Sequence, residues 1–372
     1  MDIFSSIHDR VLKLCDKSSI GRQIYSKFLM PWDRFVLNVE HRFLGKVYSS
    51  YYEEVEKTLN LYLTEEQKKD AKYVKALKKD LLNCWLSLRI YPPEYFLYEF
   101  EKLNDNQRRE YISDIERWEV LHKLFGAKVR HEHADKWLFY QMAKPYFHRD
   151  ACKVGGDAPK SDYLAFVAKH PRFFVKELEG CFGRNAYILE VHSTEYMEEV
   201  YDRLVTHGEW ILEELIIQSR DLSAWNASSV NTVRIASFLT SKGEHHVVMP
   251  FFRAGRVGSI VDNALSGGMV AGVDEKTGRL CSDGFDEHGN RYVVHPDSKV
   301  HVKGWQVPQW EELCKMTEEL HRSLPRHHRY LAFDFAHTEK GWVLVEGNWG
   351  QLIFNQAGAH RGIRKQFLEY LK

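Results

Sequence analysis

The sequence predicts an α+β protein in which a helical N-terminal unit precedes a body of mixed helices and strands. Up to residue 126, apolar residues recur at helical spacing between helix-capping signals. From about residue 173, short β-branched and aromatic runs alternate with turn residues. The chain has 372 residues and is 44% hydrophobic, so it can bury a core large enough for two or three structural units.

Helix signals dominate the N-terminal part. Thr64 and Gln67 form a predicted capping box before a long helix over residues 71–90, which a proline pair ends. A further helix follows Asn106 and is predicted to end at Gly126, because glycine is the usual residue just past a helix C-terminus.

Strand signals dominate the C-terminal part. Two predicted helices, at 195–207 and 310–324, alternate with the strands. The predicted strands, defined by their β-branched and aromatic content, are 172–176, 186–190, 210–218, 232–239, 246–252, 330–336 and 342–346. We see no internal repeat and no low-complexity segment.

Charge and the N-terminal sequence limit the class of partner. Lys plus Arg and Asp plus Glu both total 52, so the chain lacks the basic excess typical of proteins that bind nucleic acid or anionic membranes. Asp2 stands where a signal peptide has a basic region, and no apolar segment follows it. The most apolar helical stretch, 81–90, is far shorter than the roughly 20 residues that span a bilayer. We therefore expect a cytoplasmic protein with no membrane span and no nucleic-acid partner.

The cysteines and histidines lack the spacing of metal ligands. No two of the six cysteines are closer than 29 positions, which predicts ordinary buried thiols rather than a disulfide framework or a zinc site. Histidines are grouped at 131–133, 245–246 and 327–328, but none of these groups has helical i, i+4 spacing or a nearby cysteine. We interpret them as surface or loop histidines.

A strand, a tight turn and a second strand are predicted near the C-terminus. If the loop has three residues, Thr338 faces Trp342 and Asp334 lies directly opposite Glu346. Asn348, two residues further, then shares their face. A four-residue turn would instead put the two acids on opposite sides, and the hairpin would carry a plain solvated face.

The paired acids predict a metal site. Carboxylates opposite one another on paired strands lie about 5 Å apart and repel, so something cationic should lie between them. Asp334, Glu346 and Asn348 offer hard oxygen ligands, too few to enclose calcium but suited to Mg²⁺ that also binds phosphate. The hairpin therefore predicts a nucleotide as well as a metal.

Two lysines are candidates for phosphate binding. Lys176 ends a predicted strand and precedes a loop with Gly180 and Gly183, whose backbone N–H groups can approach phosphate oxygens. Lys136 follows Asp135, a predicted N-cap. The alternatives are a solvated lysine, a hairpin turn at the glycines and an exposed first-turn lysine.

These features, in this order, resemble the ATP-grasp superfamily and more closely its sugar-transfer-associated branch, over about residues 130–358. The motifs that carry the resemblance are Asp135-Lys136, Lys176 with its glycine loop, Glu213-Glu214, residues 231–234, residues 261–268, and Asp334, Glu346 and Asn348. The resemblance implies an ATP-grasp core, in which two α+β lobes clasp ATP. The expected divisions are a helical unit over 1–126, a nucleotide lobe with its hinge over 127–220, and a C-terminal lobe with the metal and acceptor site over 221–372. The helical unit does not resemble the α/β domain that precedes many such cores.

The resemblance also implies residue roles. The residues implied to contact ATP are Lys136, Lys176, Gly180, Gly183, Glu213, Glu214 and Ile216. We assign the ribose contact to Gln218. Arg234 and Arg253 lie near the reacting phosphoryl group, and Asn263 lies near a second metal or the substrate. The expected magnesium ligands are Asp334, Glu346 and Asn348.

The resemblance implies an ADP-forming ligase that uses ATP and Mg²⁺ to activate a carboxylate as an acyl phosphate, which an amine captures. A kinase acting on a hydroxyl of a sugar or related small molecule, and a non-catalytic nucleotide-binding module, are the alternatives. Between residues 231 and 268, where the acceptor is expected, the sequence has three arginines, Arg234, Arg253 and Arg256, and a single acid near the matched motif, Asp262. This excess of positive charge favours a carboxylate acceptor. The branch name implies surface polysaccharide or glycoconjugate biosynthesis, with small-molecule or sugar-linked substrates. The sequence leaves the oligomeric state open.

Overall fold

The computed structural model describes residues 11, 14–15, 18–31, 49–178, 186–259, 262 and 267–372. The chain divides into two compact units. The first contains residues up to 109 together with 113–116, and the second contains 110–112 and 117–372. The described elements before residue 150 are helical and those after it mix helices with sheets, which confirms the predicted α+β class with a helical N-terminal part. The predicted boundaries at 126 and 220 stay predictions.

The first unit contains short and medium helices: α1 (Ser19–Ile24), α2 (Ser49–Tyr62), α3 (Glu65–Lys69), α4 (Ala71–Leu88), α5 (Pro92–Leu97) and α6 (Asp105–Arg108), with a π-helical turn at Tyr25–Leu29 and a 3₁₀ turn at Phe100–Lys102. The predicted capping box is confirmed, because the Thr64 amide donates to Gln67 Oε1 (2.9 Å) and the Gln67 amide donates to Thr64 Oγ1 (3.2 Å). The predicted long helix is α4, which ends two residues early where Arg89 takes a left-handed conformation.

The remaining helices among the described residues are α7 (Asp114–Ala134), α8 (Lys136–Phe147), α9 (Lys160–Lys169), α10 (Thr194–His207), α11 (Arg220–Ser223), α12 (Trp310–Ser323), α13 (Ile353–Ala359) and α14 (Arg364–Tyr370). The predicted helix end at Gly126 is confirmed. Gly126 has φ 71° and ψ −175°, which lie outside the helical region and are open to glycine, so the first helical segment of α7 ends there and a second segment follows to Ala134. Among the described residues, no helix has the length and apolar character needed to cross a bilayer.

A four-stranded antiparallel sheet contains β1 (Ala151–Val154), β2 (Arg172–Glu177), β3 (Tyr187–Glu190) and β4 (Trp210–Glu214), in the order β1-β4-β2-β3. Phe173 and Leu212 pack in its core with Tyr163 of α9 and Val200 of α10. The strand predicted over 210–218 is confirmed only as far as Glu214, and the prediction missed β1.

A seven-stranded antiparallel sheet contains β5 (Thr232–Leu239), β6 (His245–Ala254), β7 (Met269–Gly272), β8 (Gly284–Phe285), β9 (Arg291–Tyr292), β10 (Tyr330–Thr338) and β11 (Gly341–Asn348). Its order is β11-β10-β5-β6-β7-β8-β9. Helix α8 packs on β11, α12 on β5, and α13 on β6 and β7. The four longer strands are confirmed; β7, β8 and β9 are short, and the prediction missed them.

The β10–β11 hairpin has the predicted pairing of Asp334 with Glu346, but its loop length and register differ from the prediction. The loop has two residues rather than three, so Thr338 pairs with Gly341 and the predicted pairing of Thr338 with Trp342 is wrong. A two-residue loop alone would place Asp334 opposite Val345. A bulge between Asp334 and Phe335 adds one residue on β11, and Asp334 therefore lies opposite Glu346 as predicted.

The burial of some cysteine and histidine side chains differs from the prediction. Cys84 and Cys152 are buried as expected, but Cys281 is exposed. His133 is buried within α7, with 6% of its surface exposed, so the surface or loop interpretation is wrong for it. His328 lies in a loop as predicted, but it is buried, with 1% of its surface exposed.

Candidate active site

Asp334 is fully buried on β10, between β5 and β11. The register puts it opposite Arg234 on one side and Glu346 on the other. The Arg234 guanidinium donates from Nε to Asp334 Oδ1 and from Nη2 to Oδ2, both at 2.6 Å. This two-point contact fixes the orientation of both side chains.

A second arginine reaches the same carboxylate. Arg253 on β6 donates from Nη2 to Asp334 Oδ2 (2.8 Å) and from Nε to Thr232 Oγ1 (2.9 Å). Thr232 donates to Asp262 Oδ2 at 2.5 Å, and that oxygen is 3.3 Å from Arg253 Nε. Arg234, Arg253, Asp262 and Asp334 form a buried set of two guanidinium groups and two carboxylates, which we call the Arg–Asp cluster.

Burial and charge compete within the Arg–Asp cluster. Burial alone would raise the pKa of Asp334, but the guanidinium groups of Arg234 and Arg253 outweigh it and hold that pKa well below its usual value. Burial dominates at Asp262, whose pKa is raised although Arg253 opposes the shift. Asp334 is therefore ionised at neutral pH, and Asp262 is the more basic carboxylate.

Glu346 and Asn348 extend the cluster toward solvent. The Glu346 side chain is 37% exposed, and its Oε1 lies 3.8 Å from Arg234 Nη2. Asn348 Nδ2 donates to the same oxygen at 3.3 Å, so the two residues share one face as predicted. The cation between the paired acids in this structure is thus the Arg234 guanidinium.

The donors at this position suit a magnesium ion that also binds phosphate. The carboxylates of Asp334 and Glu346 and the amide of Asn348 supply hard oxygen atoms, and the partly exposed Glu346 leaves an approach from solvent. Arg234 and Arg253 lie beside them, and guanidinium groups bind phosphate oxygens strongly. The arrangement can hold a metal and phosphate together if an oxygen of Asp334 exchanges its contact with an arginine for the metal.

Lys176 and Glu213, predicted from separate motifs, are in direct contact. Lys176 Nζ donates to Glu213 Oε2 (2.8 Å), and Arg149 Nη2 donates to the same oxygen (3.1 Å). Burial would raise the pKa of Glu213, but Arg149 and Lys176 lower it to about 2. The buried acid is therefore ionised and holds both cations in place.

Arg149 is a residue that the sequence analysis missed. Besides binding Glu213, it donates to the backbone carbonyl groups of Leu344 and Val345, where the bulge interrupts the β10–β11 pairing. Arg149 thus connects the four-stranded sheet to the bulge that aligns Asp334 with Glu346. No local motif marks it, because its partners lie 64 and about 195 positions away.

Lys136 lies at the end of β2. Asp135 caps α8 as predicted, accepting from the amides of Trp137 and Leu138. Lys136 Nζ donates to the carbonyl groups of Glu177 (3.0 Å) and Leu178 (3.3 Å). The ammonium group therefore lies where the predicted glycine loop begins.

The other predicted nucleotide contacts follow β4. Glu214 accepts a hydrogen bond from the Asp150 amide, and Ile216 lies half-buried beyond the strand. Gln218 Nε2 donates to the carbonyl groups of Asn226 and Ser229, while its Oε1 accepts from Asn231. A ribose contact would require Gln218 to exchange these partners.

Three predicted site residues lie outside the part of the chain that the structure describes: Gly180, Gly183 and Asn263. The described chain stops at Leu178 and resumes at Ala186, and Asp262 stands between two undescribed stretches. The roles assigned to these three residues stay predictions.

Comparison with known proteins gives the family. A family described as sugar-transfer associated ATP-grasp matches residues 162–369, which is more than half of the chain. The chain belongs to the sugar-transfer associated ATP-grasp family. The predicted ATP-grasp core, preceded by a helical N-terminal part, is confirmed. No curated protein matches the sequence.

Several solved structures are similar to this ATP-grasp chain at low identity. D-cycloserine synthetase DcsG has a TM-score of 0.40 and 13% identity, covering 75% of this chain and 94% of its own. D-alanine–D-alanine ligase from Bacillus anthracis has a TM-score of 0.37 and 11% identity, covering 64% of this chain. N5-carboxyaminoimidazole synthetase from Staphylococcus aureus, complexed with ADP, has a TM-score of 0.38 and 10% identity, covering 65% of this chain. The chain spans 65% of the length of the Bacillus anthracis ligase and 52% of the length of the Staphylococcus aureus synthetase.

Proposed function

We propose that this ATP-grasp protein is an ADP-forming ligase that requires ATP and Mg²⁺. It converts the carboxylate of a small-molecule or sugar-linked acceptor into an acyl phosphate, which an amine captures. The family description supports a place in surface polysaccharide or glycoconjugate biosynthesis.

The observation that carries the proposal is the convergence of two guanidinium groups beside the oxygen donors. Arg234 and Arg253 contact Asp334 at 2.6 to 2.8 Å, and Glu346 lies next to Arg234. Phosphoryl transfer needs fixed cations at the developing charge more than it needs a base. A carboxylate acceptor is already an anion at neutral pH, so the same cations can bring it against the γ-phosphate.

The reaction has two steps. An acceptor carboxylate oxygen bonds to the γ-phosphorus as the bond to the bridging oxygen breaks, and ADP leaves. The amine then bonds to the acyl carbon, phosphate leaves with one former carboxylate oxygen, and the amine nitrogen loses a proton. In this proposal Arg234 and Arg253 orient the γ-phosphoryl oxygens and the acceptor. Magnesium, when held by Asp334, Glu346 and Asn348, neutralises charge on the phosphate oxygens.

The nucleotide contacts lie around β2 and β4. We assign Lys136 and Lys176 to the phosphates, since both ammonium groups lie near the end of β2. The segment from Glu213 to Ile216 holds adenine. Binding of phosphate by Lys176 would compete with Glu213, whose charge Arg149 continues to neutralise.

One observation favours a kinase as the second candidate. The raised pKa of Asp262 makes it the better proton acceptor in the Arg–Asp cluster, and a kinase base has this task toward an acceptor hydroxyl. However, Thr232 donates to Asp262 Oδ2, and Arg253 lies close to that oxygen. A base acting through that oxygen would have to exchange these contacts.

Trapping with hydroxylamine distinguishes the two reactions. The protein is incubated with ATP, Mg²⁺ and pools of carboxylic acids, including sugar acids, and ADP release identifies an acceptor. With that acceptor, hydroxylamine should convert the acyl phosphate into a hydroxamate in step with ADP release. A stable phosphate ester on a hydroxyl, with no hydroxamate, would instead establish the kinase.

Two isosteric variants on one hairpin supply the control. Glu346→Gln removes a proposed metal ligand, so it should abolish hydroxamate formation while the protein stays folded. Glu339→Gln makes the same chemical change at the exposed turn of the hairpin, and it should retain full activity. Equal activity in the two variants would contradict the metal assignment.

A further inference from the structure

Two histidine groups from distant parts of the sequence meet in the second unit. Glu132 and His133 lie at the end of α7, and His327 and His328 lie between α12 and β10. Glu132 Oε2 is 2.8 Å from His327 Nε2 and 3.2 Å from His328 Nε2. Ligand atoms of these three residues all lie within 4.8 Å of one another. We call Glu132, His133, His327 and His328 the His–Glu cluster.

His328 presents a buried nitrogen to the carboxylate of this cluster. Its side chain is fully buried, and within the described chain its Nε2 has no hydrogen-bond partner although Glu132 is close. Its other nitrogen, Nδ1, lies 3.0 Å from His133 Nε2. The His133 Nδ1 atom is also buried and has no partner among the described residues.

The proton between the two imidazoles has two possible positions. If His328 Nδ1 carries it, the Nε2 lone pair of His328 faces the Glu132 carboxylate, and two electron-rich atoms oppose each other at 3.2 Å. If His133 Nε2 carries it, His133 Nδ1 becomes a buried lone pair without a donor in the described chain. Without a ligand, each position leaves buried polar atoms unpaired, which costs free energy.

A metal ion removes the conflict between His328 and Glu132 in the first arrangement. It accepts the His328 lone pair and lies between that nitrogen and the Glu132 carboxylate. A tetrahedral zinc ion, with metal–ligand bonds of about 2.0–2.1 Å, separates its ligand atoms by about 3.3 Å. The observed separation of Glu132 Oε2 and His328 Nε2 is 3.2 Å. The contact from His328 Nδ1 to His133 matches the outer hydrogen bond that metal-bound histidines make.

We propose that Glu132, His327 and His328 bind one divalent transition-metal ion of the zinc class, with His133 orienting His328. Two imidazoles and one carboxylate favour such an ion over magnesium. The His327 side chain is 45% exposed, which gives the ion a path from solvent. The bound ion would join the end of α7 to the segment that leads into β10.

This site is separate from the proposed ATP and magnesium site. Asp334 lies four residues beyond Tyr330, the first residue of β10, which is about 13 Å along the strand. The two sites also differ in their ligands, because the proposed magnesium site on the β10–β11 hairpin offers oxygen donors and no imidazole. The zinc-class site therefore goes beyond the proposed ligase, and either proposal can fail alone.

The test uses the full chain, stripped of metal with a chelator and titrated with Zn²⁺ alone in calorimetry. One equivalent should bind with micromolar or tighter affinity, and Co²⁺ should give the absorption spectrum of a four-coordinate ion. His327→Ala and Glu132→Gln should each weaken zinc binding at least 100-fold. His133→Phe keeps an aromatic ring but removes the acceptor, and it should weaken binding 10- to 100-fold.

Two control variants separate this site from others. His192→Ala removes an exposed histidine far from the cluster in sequence, and Glu346→Gln alters the proposed magnesium site. Both should bind zinc as tightly as the unaltered chain. The proposal is overturned if no equivalent binds, or if binding is unchanged in His327→Ala and Glu132→Gln.

Discussion

Replacing Asp334 by asparagine tests the charge balance of the Arg–Asp cluster. The change keeps the shape of the side chain but removes the charge that Arg234 and Arg253 bind through three hydrogen bonds. Removing one partner of a buried ion pair costs about 3–5 kcal/mol, because the remaining charge is left uncompensated. Glu346→Gln is the matched comparison. Its side chain is 37% exposed and 3.8 Å from Arg234, and an exposed pair contributes at most about 1 kcal/mol.

Urea denaturation followed by tryptophan fluorescence measures both free energies of unfolding. With a denaturant slope of about 3 kcal/mol/M, Asp334→Asn should lower the midpoint by about 1–1.7 M and Glu346→Gln by less than about 0.3 M. Adding Arg234→Met to Asp334→Asn removes one uncompensated guanidinium and should recover part of the loss. Equal, small shifts for Asp334→Asn and Glu346→Gln would refute this account of the cluster.

Three further outcomes are expected. Excess chelator should weaken ATP binding at least tenfold in calorimetry, because the proposed magnesium ion links the carboxylates of Asp334 and Glu346 to the phosphate oxygens. Equal affinity with and without chelator would contradict the metal site. Lys176→Ala should weaken ATP binding by about tenfold or more through loss of a charge-assisted contact. Its effect on the urea midpoint should be smaller, because Arg149 still pairs with Glu213. Unchanged affinity for ATP would show that Lys176 serves only to pair with Glu213. Burial alone would raise the pKa of Glu213, but Arg149 and Lys176 lower it from 4.5 to about 2. The ionised carboxylate therefore stabilises the fold above pH 4.5, and this stabilisation is lost as the pH falls toward 2. Melting curves of Glu213→Gln should therefore depend less on pH across that window, and identical slopes would show that Glu213 is not the responsible group.

The sequence predicted the elements that alternate regularly, and it predicted the key strand pairing partly for the wrong reason. Asp334 lies opposite Glu346, but the loop is one residue shorter than expected and a bulge restores the alignment. Bulges depend on contacts from elsewhere in the fold, here the hydrogen bonds from Arg149 to the carbonyl groups at the bulge. Local periodicity contains no information about such a partner.

The interactions that were missed are the long-range ones. His133 and His328 are 195 positions apart, and neither has a spacing that marks a metal ligand, so only the fold brings them together. Gly126 ends a helical segment as predicted, but the second segment that follows it to Ala134 was not predicted. The short strands β7 to β9 have too few residues to establish an alternating pattern.

Transfer of ¹⁸O from the acceptor tests the central claim most directly. An acceptor carboxylate labelled with ¹⁸O is supplied with ATP, Mg²⁺ and the amine, and the inorganic phosphate is analysed by mass spectrometry or ³¹P NMR. If the carboxylate attacks the γ-phosphorus and the amine then displaces phosphate, each phosphate released in the ligation should contain one ¹⁸O atom. Product formation with unlabelled phosphate would contradict an acyl phosphate intermediate and, with it, the proposed ligase.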